Sequence, residues 1–178
     1  MANIKLYPNS TVSNNWTKSQ PMSTVHGLMA NDHTGNITTD SFHLRDTATG
    51  EIFELDFDNF TEDFSSIDSV QAVVKAGNNN RGQSFAIEMT INDALAGAFW
   101  SAESSGTQLA SAGYRTITFT SRTTSDGSSA WTNTNINSLR MKVELTTISG
   151  GTTYATYCYF IVTYTPPSDN AIFFGTNF

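Results

Sequence analysis

The residues of this chain that could carry out catalysis are few. All three histidines, His26, His33 and His43, lie in the first third of the sequence. The segment nearest to a nucleophile elbow, residues 82–86 (GQSFA), lacks the second glycine of that motif. A nucleophile also needs a base and an orienting group, and a glycan-degrading enzyme needs two carboxylates that face each other; the spacing favours neither set. We therefore predict that the chain is not an enzyme.

Two groups of side chains could bind a metal ion. The spacing of His26, Asp32 and His33 matches no structural zinc pattern, and no cysteine is near them. The acidic stretch at residues 56–63 (DFDNFTED) offers oxygen ligands of the kind that Ca²⁺ prefers, but Phe60 stands where an EF-hand loop needs an oxygen. We predict no metal and no cofactor. The candidate ligands that remain are Asp56, Asp58 and Glu62.

Aromatic side chains could instead stack on sugar rings. The chain has three tryptophans, Trp16, Trp100 and Trp131. We expect Trp16 to hold the N-terminal segment against the body and Trp131 to close one end of the core. Trp100 and Tyr114 are then the candidate contacts for a glycan.

The composition excludes two classes of partner. The chain has 178 residues, a net charge of −7 and only nine lysines and arginines, which form no run. A nucleic-acid-binding domain normally carries a basic face, so neither nucleic acid nor an anionic membrane is an expected partner. The start, MANIKLYPNS, lacks the regions of a signal peptide, and no apolar run approaches the ~20 residues that span a bilayer. We expect assembly in a reducing cytoplasm, with Cys158 as a small buried apolar side chain.

The elements that must position these residues are strands. Hydrophobic residues make up 38% of the chain and charged residues 14%, and apolar and polar residues alternate in several segments. This pattern predicts seven or eight strands in a single all-β sandwich that is jelly-roll-like. The predicted inward side chains are Phe53, Leu55, Phe57, Val70, Ala72, Val74, Phe85, Ile87, Met89, Ile91, Ile117, Phe119, Leu139, Met141, Val143 and Leu145.

The last predicted strand differs from the others. Residues 152–165 are apolar on both faces, with Tyr157, Tyr159 and Ile161 on one and Cys158, Phe160 and Val162 on the other. We therefore expect this strand to lie centrally in its sheet or to be covered on both sides. The predicted organisation is an extended N-terminal segment with one short strand at residues 1–36, a sandwich body at 37–165 and a C-terminal arm at 166–178.

Two segments, one near the start of the chain and one near its end, carry a set of short motifs. Residues 4–17 (IKLYPNSTVSNNWT) give a short strand that ends in a proline, a polar stretch and Trp-Thr. Residues 131–165 give a second Trp-Thr, a strand, a glycine turn and a closing strand. The matching pieces there are Trp131-Thr132, Ile136, Leu139-Arg140, Gly150-Gly151 and Val162-Thr163-Tyr164. Together these motifs resemble a domain common in tailed-bacteriophage virion proteins. The likeness covers about residues 4–165, and its motifs are structural.

This resemblance implies a galactose-binding-like or jelly-roll β-sandwich in a phage particle, and no catalytic residue is carried over from it. The leading expectation is a capsid decoration (cement) protein in the virion, assembled in the host cytoplasm. Its partners would be the major capsid protein and further copies of the chain, with a trimer as the expected oligomer. The alternative is a tail, baseplate or fibre module that binds host surface glycans.

The C-terminal tail departs from that family pattern. Pro166 and Pro167 end the last strand, and four large apolar residues follow. Full burial of four such side chains is worth roughly 1.5–3 kcal/mol each, while ordering about ten residues costs roughly 1–2 kcal/mol each. The tail is therefore ordered only against a matching groove, on its own domain or, as we predict, on a neighbouring subunit. The predicted contact residues are Ile172, Phe173, Phe174 and Phe178.

Overall fold

The computed structural model describes residues 1–18, 24–25, 29–30, 43–80, 82–93, 97–98, 102–109 and 114–168. Apart from Val25 and Met29, which are helical, these residues form strands, one short helix and connections. In chain order the elements are β1 (Ala2–Leu6), β2 (Pro8–Asn14), β3 (Thr17–Lys18), β4 (Leu44–Asp46), β5 (Ile52–Phe57), β6 (Ser66–Asn78), β7 (Ser84–Asp93), β8 (Gly97–Ala98), β9 (Glu103–Ser104), β10 (Gln108–Leu109), β11 (Arg115–Thr118), α1 (Asn133–Asn137), β12 (Leu139–Ile148) and β13 (Thr153–Thr165).

The strands form two antiparallel sheets. Sheet A has the order β11-β6-β13-β4-β3, and β1 also pairs with β13. Sheet B has the order β10-β7-β12-β5-β2, and β8 and β9 also pair with β7. The chain changes sheet at most of its connections; of the described strands, only β3 to β4 and β7 to β10 follow one another in the same sheet. The predicted all-β sandwich is therefore confirmed.

Strand β13 is the central strand of sheet A, as its two apolar faces predicted. It pairs with β6 along almost its whole length on one side. On the other side it pairs with β4 near its start and with β1 near its end. Its inner side chains Cys158, Phe160 and Val162 are fully buried. Burial raises the pKa of the Cys158 thiol far above its ordinary value, which agrees with its expected apolar role.

The core lies between the sheets and contains the predicted inward side chains. All sixteen of those named from the alternating pattern are buried. Phe57 of sheet B and Phe160 of sheet A meet across the sandwich with ring centroids 4.6 Å apart in an edge-to-face arrangement. Such contacts hold the two sheets together through apolar burial and aromatic packing.

The first eighteen residues correct the sequence prediction. A mostly irregular segment with one short strand was expected, but β1, β2 and β3 take up most of residues 2–18. The pattern of β2 was hidden because its pairing with β5 shifts register twice, between Pro8 and Ser10 and between Thr11 and Ser13. Each irregularity interrupts the two-residue period. This edge strand also needs little apolar content, and its Val12 is 39% exposed.

Two tryptophans have the anchoring roles that were predicted for them. Trp16 is buried, donates its ring N–H to the Glu51 carbonyl at 3.0 Å and packs edge-on against Phe53 at 5.2 Å. Trp131 is also buried and donates its ring N–H to the Arg122 carbonyl at 2.9 Å. Each side chain thus fills part of the core while its polar atom is satisfied.

The turn between β12 and β13 joins the two sheets and needs glycine. Gly151 has a φ of +76°, a conformation that is costly for residues with a Cβ. A Cβ there would stand 2.6 Å from the Cβ of Asn80 and 2.7 Å from Oδ1 of Asn78. Asn78 in turn donates its amide N–H to the Gly150 carbonyl at 3.0 Å. This turn therefore packs closely on the connection between β6 and β7.

Candidate binding face on sheet A

The outer face of sheet A carries an aromatic cluster. Along β13, the side chains that alternate with the buried Cys158 and Phe160 point away from the core, so Tyr157, Tyr159 and Ile161 lie on the outside. We call the tyrosine face the surface that these three residues form with Lys5 and Tyr7. Tyr157 keeps 8% of its surface exposed, whereas Tyr7, Tyr159 and Ile161 are half-buried.

The three tyrosine rings contact one another. Ring centroids are 5.0 Å apart for Tyr157 and Tyr159, 6.0 Å for Tyr7 and Tyr157, and 6.3 Å for Tyr7 and Tyr159. The angles between the ring planes are 50°, 30° and 54° in the same order. These separations fall within the range of favourable aromatic pairs. The cluster is therefore a preformed aromatic surface.

Tyr7 is positioned by the chain crossing from one sheet to the other. It lies between β1 of sheet A and β2 of sheet B. Its carbonyl accepts a hydrogen bond of 2.9 Å from the N–H of Asp58, just beyond the end of β5. The backbone of Tyr7 is thereby held to both sheets, and its ring is held over β13.

Lys5 places a positive charge on this aromatic surface. Strand β1 runs antiparallel to β13, with Lys5 opposite Ile161. The exposed Lys5 side chain puts its Nζ 4.3 Å from the centroid of the Tyr159 ring, the geometry of a cation–π contact. Lys5 forms no ion pair with any residue that the structure describes.

The neighbouring positions on this face are mostly polar, but the buried Val73 lies directly opposite Tyr159. The register places Lys75 opposite Tyr157, Gln71 opposite Ile161, and Ser69 and Asn3 opposite Thr163. The nearest acidic residue along β6 is Asp68, which accepts hydrogen bonds from Ser66 and Thr165 at the far end of the strand. The face thus combines aromatic rings, hydroxyls, amides and cationic side chains.

The outer face of sheet B has a different chemistry. We call the charged face the outward side chains of β5, β7 and β12, which are Glu54, Asp56, Glu88, Arg140, Lys142 and Glu144. Arg140 pairs with Asp56, and Lys142 lies 3.8 Å from a carboxylate oxygen of Glu144. Asn92 donates to Glu54 at 2.8 Å. Cations on this face are therefore neutralised within the face.

The candidate metal ligands do not converge. Asp56 is held by Arg140 and by a hydrogen bond from Ser10, whereas Glu62 accepts from the Tyr164 hydroxyl at 3.4 Å. Asp58 is exposed. In the part of the chain that the structure describes, no three histidine, cysteine, aspartate or glutamate side chains are grouped as metal ligands would be.

The sandwich also carries two small polar clefts. One of about 230 Å³ is lined mainly by Asn9, Asp56, Asn59, Asn137 and Arg140. Its polar groups are largely bonded to each other, since Asp56 pairs with Arg140 and Asn137 accepts from the N–H of Phe60. The other, of about 260 Å³, lies beside β3 and β4 near Arg45 and Asp46. Neither cleft brings together aromatic rings as the tyrosine face does.

Several predicted site residues lie outside the described part of the chain. These are His26, Asp32, His33, Trp100 and the four arm residues Ile172, Phe173, Phe174 and Phe178. Of the candidate glycan contacts, Tyr114 is described and half-buried, just before β11. His43 is buried against Tyr154, with ring centroids 4.5 Å apart.

The tyrosine face was missed at the level of sequence. Its signal was the apolar outward side of residues 157–161, which was interpreted only as evidence of a central or covered strand. Lys5 and Tyr7 join Tyr159 through a pairing between strands at opposite ends of the chain. No local pattern indicates such a pairing.

Comparison with known proteins identifies no family for this chain. No protein-family model and no curated protein matches the chain. Among solved structures it is similar to the CBM36-1 domain of a multidomain xylanase from the hindgut metagenome of Trinervitermes trinervoides (TM-score 0.42, 11% identity, 93% of this chain and 100% of that chain covered). It is also similar to a carbohydrate-binding module CBM36 in complex with calcium and xylotriose (TM-score 0.39, 10% identity, 90% and 98% covered).

The described residues include no candidate for a membrane-spanning helix. The helix α1 has five residues, and no helix there is long and apolar enough to cross a bilayer.

Proposed function

We propose that this chain is a non-catalytic β-sandwich module that binds host surface carbohydrate through the tyrosine face. The observation that carries the proposal is the contact of Tyr7, Tyr157 and Tyr159 on one outer sheet face. Aromatic rings pack on the apolar C–H side of a sugar, and nearby hydroxyl and amide groups bond its hydroxyls. Asn3 and Thr163 supply such groups farther along the same face, beyond Ile161, whereas Gln71 already donates its amide N–H to the Phe119 carbonyl at 2.9 Å.

An open sheet face suits a polymer. Catalysis needs reacting groups converging around one bond, which a cleft provides better than an open sheet face does. A polysaccharide can instead lie along β13 and contact several side chains in succession. We place the module in a bacteriophage tail, baseplate or fibre. The support for that location is the resemblance of residues 4–165 to phage virion domains.

The test is binding of the full chain to a panel of soluble polysaccharides, measured by affinity electrophoresis. Tyr159→Ala should abolish most of the retardation in the gel, because it removes a half-buried ring that contacts both other tyrosines and Lys5. Tyr159→Phe should retain the stacking contact and lose only the hydroxyl. Thr90→Ala on sheet B is the matched control and should bind like the wild type. Binding that survives Tyr159→Ala, or a chain that binds no polysaccharide, would overturn the proposal.

A second candidate function is capsid decoration. The observation that favours it is the firm anchoring of the chain just before the tail. The N–H and hydroxyl of Ser65 donate to the Thr165 carbonyl at 2.8 and 3.1 Å, and the hydroxyl also reaches the Pro166 carbonyl at 3.3 Å. The tail therefore starts from a fixed point on the body, as an arm that reaches a capsid protein or another copy of the chain would.

This second candidate is tested with purified empty capsids and separate tails as bait. In the full chain, the four residues Ile172, Phe173, Phe174 and Phe178 are changed to serine. Capsid binding that the wild type shows and this variant lacks would support decoration and the arm. Binding to tails alone would exclude it and favour the carbohydrate module.

A further inference from the structure

We infer that the carbohydrate bound on the tyrosine face is an acidic polysaccharide, one whose sugars carry carboxylate or sulfate groups. This inference rests on the proposed function and names the ligand class of the same site. The juxtaposition that carries it is the ammonium of Lys5 over the ring of Tyr159.

The ligand must share Tyr159 with this ammonium. Lys5 Nζ lies 4.3 Å from the ring centroid, so it covers part of the ring face that a sugar would stack on. A neutral sugar either displaces the ammonium and loses the cation–π contact or leaves part of the ring unused. An acidic sugar can stack beside Lys5 and place its anionic group on the ammonium as a charge-assisted hydrogen bond.

The local charge agrees with an anionic ligand. Lys5 has no ion-pair partner among the described residues. Among the described residues, Asp68 and Asp58 are acidic residues that adjoin this face. The carboxylate of Asp68 accepts hydrogen bonds from the hydroxyls of Ser66 and Thr165. Asp58 contacts the face through its backbone N–H, which donates to the Tyr7 carbonyl.

The overall charge of −7 acts at longer range. Salt at physiological strength screens exposed charges beyond about 8 Å, so contacts at Lys5 decide the selectivity. The charged face of sheet B lies on the opposite side of the sandwich and adds no local cation to this site.

The experiment compares one polymer in two forms. Polygalacturonate and its carboxyl-reduced derivative have the same backbone and differ in charge, so this pair tests carboxylate groups. Dextran sulfate and dextran form a second pair, which tests sulfate groups. The full chain should bind one of the acidic polymers more tightly than its neutral partner. Lys5→Gln should weaken acidic binding by about 2- to 5-fold, the range of an exposed ion pair or cation–π contact, and should not weaken neutral binding, because it removes the ammonium that competes for the ring. Lys142→Gln is the matched control and should change neither.

The outcomes separate the inference from the proposed function. Equal binding of acidic and neutral forms, with Lys5→Gln like the wild type, would overturn the acidic ligand and leave the carbohydrate module standing, provided that Tyr159→Ala still abolishes binding. No binding of any polymer would overturn both. Acidic preference that Lys5→Gln reduces and Lys142→Gln does not would support the inference.

Discussion

The two outer faces of this sandwich differ in how their charged side chains are paired. On sheet B, Arg140 and Lys142 are neutralised by Asp56 and Glu144 within the face. On sheet A, three tyrosine rings contact one another and Lys5 lies over one of them without a carboxylate partner among the described residues. A face whose charges are paired internally offers little to a ligand. A face with aromatic rings and a cation that no described carboxylate neutralises offers a ligand both stacking and charge contacts. We therefore assign binding to sheet A.

The largest expected effect separates the inner from the outer side of β13. Phe160→Ala should lower the free energy of unfolding by about 3–5 kcal/mol, because it leaves a cavity between the sheets. Tyr159→Ala, one residue away on the outside, should cost about 1 kcal/mol, in the range of ordinary substitutions. Urea denaturation of both variants checks this. Equal losses would contradict the claim that Tyr159 is a surface residue available for binding.

The turn that connects the two sheets gives the next effect. Gly151→Ala places a Cβ 2.6 Å from that of Asn80 in a backbone conformation with φ of +76°. The left-handed backbone costs about 1–2 kcal/mol and the crowding about 1–3 kcal/mol more. Gly50→Ala is the matched control, since Gly50 has a φ of +86° but open space around it.

Thermal unfolding of the two glycine variants should therefore differ, with Gly151→Ala melting at the lower temperature. The same melting temperature for both would show that the close packing of the turn on the β6–β7 connection contributes nothing. The turn would then give no reason to regard the two sheets, and their outer faces, as held in a fixed relative position.

The smallest effect lies on the charged face. Glu88 is directly opposite Glu144 across β7 and β12, and like charges in that position repel. Glu88→Gln should raise the free energy of unfolding by roughly 0.2–1 kcal/mol. Glu54→Gln should act in the other direction, because Glu54 lies opposite Lys142 and accepts from Asn92.

Chemical denaturation at low and high salt checks both variants, since screening should shrink both differences. If Glu54→Gln stabilises the protein as much as Glu88→Gln does, then the carboxylates of this face are not organised by pairing. The difference between the paired charges of sheet B and Lys5 of sheet A would then no longer support the assignment of binding to sheet A.

The sequence predicted the inner half of the molecule better than the outer half. Alternation identified Phe53, Phe85 and Met141 as core residues because burial on one side imposes a period of two. It failed for β2, whose pairing is irregular and whose edge position needs few apolar side chains. The two-sided strand β13 was recognised as central, but its outer tyrosines were not recognised as a candidate site. Lys5 and Tyr159 meet only because the chain's first strand pairs with its last, and such long-range pairing leaves no local signal.

The most direct test of the central claim is to locate the binding face. NMR spectra of the isotope-labelled full chain would be recorded during titration with polygalacturonate oligosaccharides, with neutral oligosaccharides as a second series. We expect shifts concentrated at Lys5, Tyr7, Tyr159 and Ile161 on sheet A, with Lys142 and Glu144 on sheet B unchanged. Shifts centred on sheet B, or no shifts with any oligosaccharide, would contradict the account.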